Sequence, residues 1–218
     1  NVRLHAATQE PLLRRVAEML SEAQGSPFLM NFDESSMRGL EWQGLPKDRL
    51  WDYAPVGCLE NTLQGDDRSG TVDVNLNLAK AVELAFNSGR DAETGKRIGP
   101  NTGKVEDFRS WEEFKQAFEA QLRALVDYII DISDEADRIR SEFEPTPYLS
   151  TLVGGCVEKG RDITQGGARH SYITVEGVAF ATAADSLSAV KKLVYEDGKI
   201  DITELARAVR DNYEGQEA

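Results

Sequence analysis

A helix-rich α/β fold is what this sequence predicts, on three observations. Several long stretches repeat apolar residues at helical spacing, the β-favouring runs are short, and no internal repeat organises the chain. With 218 residues, 40% of them hydrophobic, there is enough apolar material for a sizeable core. A single domain over 1–218 with no interior linker is the expectation.

The first element is a helix over 9–24. Thr8 is placed to cap it, Pro11 falls in its first turn, and Leu12, Leu13, Val16, Met19 and Leu20 share one face before Gly25 stops it. "SPFLMNFDE" follows as a short buried strand and a turn. Over 35–55 the signals are mixed, with short helical turns around Met37 and Leu50, and a glycine-bounded stretch occupies 57–70. "NLNLAKAVELAFNSG" has helical period and ends at Gly89, after which "RDAETGKRIGPNTGKVEDFRS" reads as a polar loop. Ser110 caps a long amphipathic helix, with Glu113 at the capping-box position. Phe114, Phe118, Leu122, Leu125, Ile129 and Ile132 mark its apolar face to about Phe143, and Pro145 and Pro147 end it. "YLSTLVGGCVEKG" fits helix or strand, and helix is the expectation. "HSYITVEGVAF" alternates as a strand does. "TAADSLSAVKKLVYED" is a helix, and Thr203 caps a last one through Tyr213.

Charge excludes several functions. A formal net charge of −13 argues against nucleic acid and anionic membranes as partners, since both need a basic surface. No apolar run approaches membrane-spanning length, and "NVRLHAATQEPLLRR" lacks a signal-peptide core. Two cysteines are far fewer than a disulfide scaffold uses, so a reducing cytoplasm is expected. An opening at Asn1 without methionine and an ending in "NYEGQEA" suggest a piece of a larger protein.

The chemistry concentrates in "WDYAPVGCLENTLQG". In an extended loop, residues i and i+2 point the same way, so Cys58 and Glu60 can face one cavity. Pro55, Val56, Gly57 and Leu59 offer an apolar setting, in which a carboxyl group exchanges protons nearer neutrality. On these residues alone, a buried core cysteine and a surface acid remain the commoner outcome. Nucleophilic use of the thiol fits poorly, because His5 and His170 are the only histidines and the surroundings of Cys58 are acidic. The cysteines and histidines show no metal-ligand spacing, and "GGCVEKG" and "QGGAR" lack the lysine and spacing of a phosphate loop. A thiol that stays neutral beside a carboxylate suits hydrogen-atom chemistry better.

"DYAPVGCLENT" resembles the active-site cysteine loop of glycyl radical enzymes, the family that includes pyruvate formate-lyase and the cobalamin-independent diol dehydratases. The run "YLSTLVGGCVEKGRDITQGGARHSYITVEGVAFATAADSLSAVKKLVYEDGKI" is similar to that family's stretch downstream of the loop. The resemblance covers nearly the whole chain. It implies part of a ten-stranded α/β barrel, with Cys58 at the position of the thiyl radical and Glu60 at that of the general base or acid in eliminating and decarboxylating members. Pyruvate formate-lyase carries two adjacent cysteines, whereas position 59 is Leu59; this speaks against acyl transfer and for a lyase of the Gly-Cys-x-Glu type.

Thr71 and Asp73 resemble positions from which some members reach the substrate, with a strand or turn role the equal alternative. No bound cofactor is implied. The radical resides on a glycyl loop whose Arg-Val-x-Gly-Tyr-like motif is absent from this sequence, and a radical S-adenosylmethionine activating enzyme installs it. The implied partners are that activase, a small-molecule substrate, the rest of the enzyme and, at full length, a second copy in a homodimer of anaerobic metabolism. The isolated chain is expected to be inactive. The rival readings are an α-rich binding or assembly domain with Cys58 as a core residue, and a degenerate relative that keeps the fold alone.

Lesser features are expected to be structural. Cys156 and Glu158 repeat the Cys-x-Glu spelling, but on a helix i and i+2 diverge, so packing is favoured. Asp185 and Ser186 belong to the helix carrying Leu187 and Val190, His170 is an ordinary histidine, and Asp66, Asp67, Asp131, Asp134 and Glu135 lie on solvated faces.

Overall fold

The computed structural model describes residues 2–22, 30–57, 60–68 and 72–215. β1 (Val2–Leu4) runs parallel to β2 (Met30–Phe32), and a parallel pair requires a crossover, which includes α1 (Glu10–Ser21). Pro11 sits in the first turn of α1, where its missing N–H costs no hydrogen bond. Thr8 does not cap this helix. Gln9 is the boundary residue, and the Thr8 hydroxyl accepts from the His5 amide at 2.8 Å, closing a turn ahead of it. The predicted stop at Gly25 lies outside the described residues.

No turn follows β2: α2 (Asp33–Trp42) starts at once, with Asp33 and Glu34 at its positive end. A tight helical turn, Lys47–Asp52, then buries Leu50. β3 (Tyr53–Val56) and β4 (Glu60–Leu63) form an antiparallel hairpin that the sequence did not reveal, since Pro55 interrupts the strand signal. β5 (Asp67–Arg68) and β6 (Val74–Asn77) follow, and β6 takes the first residues of the expected helix. The helix proper is α3 (Leu78–Phe86), capped by Asn77, whose side chain accepts from the Lys80 amide at 3.2 Å.

α4 (Trp111–Phe143) begins and ends as its sequence predicts, the Ser110 hydroxyl accepting from the Glu113 amide at 3.3 Å. Between 147 and 159 stand two short helices, α5 (Pro147–Ser150) and α6 (Cys156–Lys159), parted by Gly154 and Gly155. The strand expected after them divides into β7 (His170–Ser171) and β8 (Val175–Val178), which pair in parallel with β5 and β6 respectively. α7 (Phe180–Ala189) continues as a wider π-helical stretch, Val190–Glu196. The last helix, α8 (Ile202–Arg210), is capped by Asp201, not Thr203: the Asp201 carboxylate accepts from the Thr203 amide at 2.8 Å. It stops at Arg210, because Asn212 and Tyr213 take positive φ.

The chain forms two compact units, Asn1–Asp73 with Ala136–Thr174, and Val74–Glu135 with Val175–Ala218. In the first unit, Leu40, Leu45, Leu50, Tyr53 and Leu63 form one apolar cluster, and Cys156, Ile163 and Ala168 another. The second unit packs α3, α4, α7 and α8 around Phe86 and Phe114, whose rings meet edge to face with centroids 5.0 Å apart. Among the described residues no helix is long and apolar enough to cross a membrane.

The polar loop after α3 is held by Gln121 of α4, which is fully buried and donates to the Pro100 carbonyl at 2.9 Å and the Thr102 hydroxyl at 3.0 Å. Gly89 lets this loop close: its φ is +79°, and a Cβ there would collide with the Pro100 carbonyl. Gly89→Ala is expected to cost about 1–2 kcal/mol in left-handed strain and about 1–3 kcal/mol in overpacking. Gly95, at φ +68° with open space around its Cβ position, supplies the control. Gly95→Ala should incur only the strain cost, and equal shifts of the two denaturation midpoints would show that the loop contact is not tight.

Candidate active site

The hairpin register is Tyr53–Leu63, Ala54–Thr62, Pro55–Asn61 and Val56–Glu60. Three residues, 57–59, connect the closing pair. Cys58 and Leu59, like Thr71, lie outside the described residues, so the expectation that the Cys58 sulfur and Glu60 carboxylate share a cavity stays an expectation. Glu60 itself is half-buried at the start of β4. Alternation along the strand puts Glu60 on the face opposite Asn61 and Leu63. Leu63 is buried in the apolar cluster, and Asn61 accepts from the Asn31 side chain at 3.0 Å. The strand therefore turns Glu60 away from the cluster that anchors it.

Two polar groups hold the base of the hairpin. In the first, the Arg3 Nε and the Tyr53 hydroxyl both donate to Asp33 Oδ1, at 2.9 and 2.5 Å. The Arg3 guanidinium also donates to the Tyr53 carbonyl at 2.7 Å and lies 4.0 Å from the Tyr53 ring centroid. Asp33 is only 2% exposed. Burial favours its neutral form, but the hydrogen bonds from Arg3 and Tyr53 outweigh that and hold its carboxyl below the ordinary value. Burial, reinforced by the Asp33 hydrogen bond, pushes the Tyr53 hydroxyl upward.

The second group centres on Asp66, which the sequence placed on a solvated face. Instead it is buried, 8% exposed, because its carboxylate accepts from Arg49 at 2.6 Å and from Arg169 at 2.8 Å. Asp67 is likewise engaged, accepting from the Leu63 amide at 2.7 Å. The Asp73 carboxylate accepts from the Thr174 amide at 2.9 Å and stands 3.6 Å from the Arg68 guanidinium. These contacts tie Asp73 to Arg68 of β5 and to the Thr174 backbone.

Cys156 and Glu158 are structural. Cys156 is buried among Ile163 and Ala168, and burial pushes its thiol above the ordinary value. Glu158 accepts from the Gly155 amide at 2.9 Å and from Arg169 at 3.3 Å. His170 sits on β7, its ring parallel to Tyr172 with centroids 6.4 Å apart. No group of three or more His, Cys, Asp or Glu side chains among the described residues could hold a metal ion.

The sequence model of the family described as Pyruvate formate lyase-like matches residues 1–218. The chain belongs to this family. It is 32% identical over 216 residues to (2S)-3-sulfopropanediol dehydratase of Klebsiella oxytoca, covering 99% of this chain and 26% of that protein. To trans-4-hydroxy-L-proline dehydratase of Clostridioides difficile it is 33% identical, covering 100% of this chain and 27% of the other. Among solved structures, the glycerol-bound B12-independent glycerol dehydratase from Clostridium butyricum superposes with a TM-score of 0.89 at 33% identity, covering 99% of this chain and 27% of that one. Further family members include an isethionate sulfite-lyase, an indoleacetate decarboxylase and a glycyl radical enzyme from Archaeoglobus fulgidus. The relatives are thus glycyl radical enzymes: dehydratases, lyases and a decarboxylase. The chain spans about a quarter of their length.

Proposed function

We propose that this chain carries the cysteine loop of a glycyl radical dehydratase, with Cys58 abstracting hydrogen and Glu60 moving protons. One observation carries the reading: in a chain of this family, Gly57-Cys58-Leu59 connects a hairpin whose closing pair is Val56–Glu60. In sequence, Cys58 is therefore two residues from Glu60, which belongs to the closing pair. Leu59 at the place of a second cysteine supports elimination over acyl transfer. The parallel pairs β1–β2, β5–β7 and β6–β8 suit a ten-stranded α/β barrel, and exposed Trp42 and Tyr148 (91% and 80%) suit burial against the rest of the enzyme.

Cys58 would give its thiol hydrogen atom to a glycyl radical, installed by a radical S-adenosylmethionine activase on a segment outside these residues, and so become a thiyl. Cys58 then takes a hydrogen atom from a substrate carbon that bears a hydroxyl or an amine. Glu60 accepts the proton of that hydroxyl or amine as the C=O or C=N bond forms. The C–O bond on the neighbouring carbon breaks, and the leaving hydroxide takes the proton back from Glu60 as water. The Cys58 thiol returns its hydrogen atom to the product radical, so the net change is loss of one water.

Dehydration is favoured over C–S or C–C cleavage because the relatives at 32% and 33% identity are dehydratases. The test is the whole protein, activated without oxygen and offered glycerol, trans-4-hydroxy-L-proline, (2S)-3-sulfopropanediol, isethionate and indoleacetate separately. Consumption of one of the first three with loss of water supports the reading. Turnover of isethionate or indoleacetate alone overturns dehydration.

A further inference from the structure

The ion cluster at the base of the hairpin joins Arg49, Asp66, Arg169 and Glu158. Arg49 lies four residues before β3 and Asp66 three residues after β4, so their 2.6 Å ion pair closes the hairpin's open end. The Asp66 amide donates to the Leu63 carbonyl at 3.0 Å, which makes the turn that brings its side chain back. Its second carboxylate oxygen takes Arg169, 103 residues away, at 2.8 Å. Arg169 is itself fixed: its amide donates to the Gly154 carbonyl at 2.9 Å, and its guanidinium reaches Glu158. The backbone repeats the link, with the Gly154 amide donating to the Gly65 carbonyl at 2.7 Å and the His170 amide to the Asp66 carbonyl at 3.1 Å. Gly154 allows this approach, since a Cβ there would stand 2.5 Å from Asp66 Oδ1.

We propose that Asp66 is a positioning residue, which, through Arg49 and Arg169, sets the tilt of the hairpin that carries Cys58 and Glu60. The inference rests on the catalytic reading above. Three residue steps separate the Tyr53–Leu63 pair from Val56–Glu60, about 10 Å at about 3.3 Å per residue. A tilt of about 5° at the base then moves the closing pair by about 1 Å, and a displacement of about 1 Å can cost about a hundredfold in rate. A carboxylate bidentate to two guanidinium groups resists such a tilt because both charge-assisted bonds are directional. Neither arginine alone would do this, since one belongs to the hairpin's own neck and the other to the segment beneath it.

The experiment uses the whole, activated enzyme with Asp66→Asn, which keeps the shape and removes the charge. Spin content, kcat per spin, KM and the deuterium isotope effect at the substrate carbon that loses hydrogen are read on the same samples. Spin content and KM should stay within about twofold of wild type. The kcat per spin should fall about 10- to 100-fold, with a larger isotope effect because hydrogen abstraction has become the slow step. A variant that loses only folded protein or spin, with wild-type kcat per spin and isotope effect, overturns the proposal. So does a raised KM with an unchanged isotope effect, which would place Asp66 against the substrate. If Asp66→Asn yields no soluble enzyme, Arg49→Lys, which keeps the charge but loses the planar fork, takes its place. The same four quantities are measured on it, and the same outcomes support or overturn the proposal. Cys58→Ser measured in parallel separates the two levels: turnover by that variant sinks the catalytic reading itself. A dead Cys58→Ser beside a wild-type-like Asp66→Asn sinks only the positioning role.

Discussion

Cys58→Ser in the whole, activated enzyme is expected to abolish turnover while the glycyl spin signal survives. Serine is close in size, so the hairpin should fold as before. The O–H bond, however, is too strong for a glycyl radical to break readily, and the hydrogen relay stops at its first step. In the proposed mechanism, radical installation involves only the activase and the glycyl segment and does not use the Cys58 sulfur. Spin concentration and product formation must be measured on the same samples. Residual turnover above background would remove Cys58 from the reaction and leave it as a core residue of an otherwise ordinary domain.

Glu60→Gln carries the second largest expected effect. Glutamine keeps the shape and hydrogen-bonding reach of the side chain but has no proton to gain or lose near neutral pH. Without a positioned acid–base group, proton transfer should slow by roughly a hundred- to ten-thousand-fold, again with spin content near normal. A wild-type rate would mean that solvent or another group moves the proton, and that Glu60 only shapes the loop. The two variants should differ in kind. Cys58→Ser stops hydrogen abstraction, so deuterium from labelled substrate never reaches the enzyme. Glu60→Gln still abstracts, and allows label exchange without product.

The candidate site was legible in the sequence as a spelling. Gly57-Cys58-Leu59-Glu60 singles out a thiol and a carboxylate at one spacing, and the family match over 1–218 agrees with what that spelling resembles. The hairpin beneath it was not legible. Its strands are four residues each, one holds Pro55, and neither alternates clearly, so only the Tyr53–Leu63 and Val56–Glu60 pairing reveals them. Caps were misassigned at Thr8 and Thr203 for a related reason. Asp201 stands two residues before Thr203, and the choice between two nearby cap-forming side chains depends on where the backbone enters the helix. Asp66 was misread because acidity suggests solvent unless a cation is near, and Arg169 is 103 residues away in sequence.

By itself, the sequence determined the features whose physics is local. α4 runs from Trp111 to Phe143 because Ser110, the helical apolar period and Pro145 each act on residues only a few positions away in the chain. The polar loop and the end of α3 follow from glycines at positive φ in the same way. Tertiary structure alone decided the pairing of β1 with β2, β5 with β7 and β6 with β8, the division of the 170–180 strand, and the burial of Asp33 and Asp66. Each of these depends on a partner far along the chain. A short strand has no internal hydrogen bonds and a buried carboxylate no internal counter-charge, so neither is stable until the chain brings its partner to it.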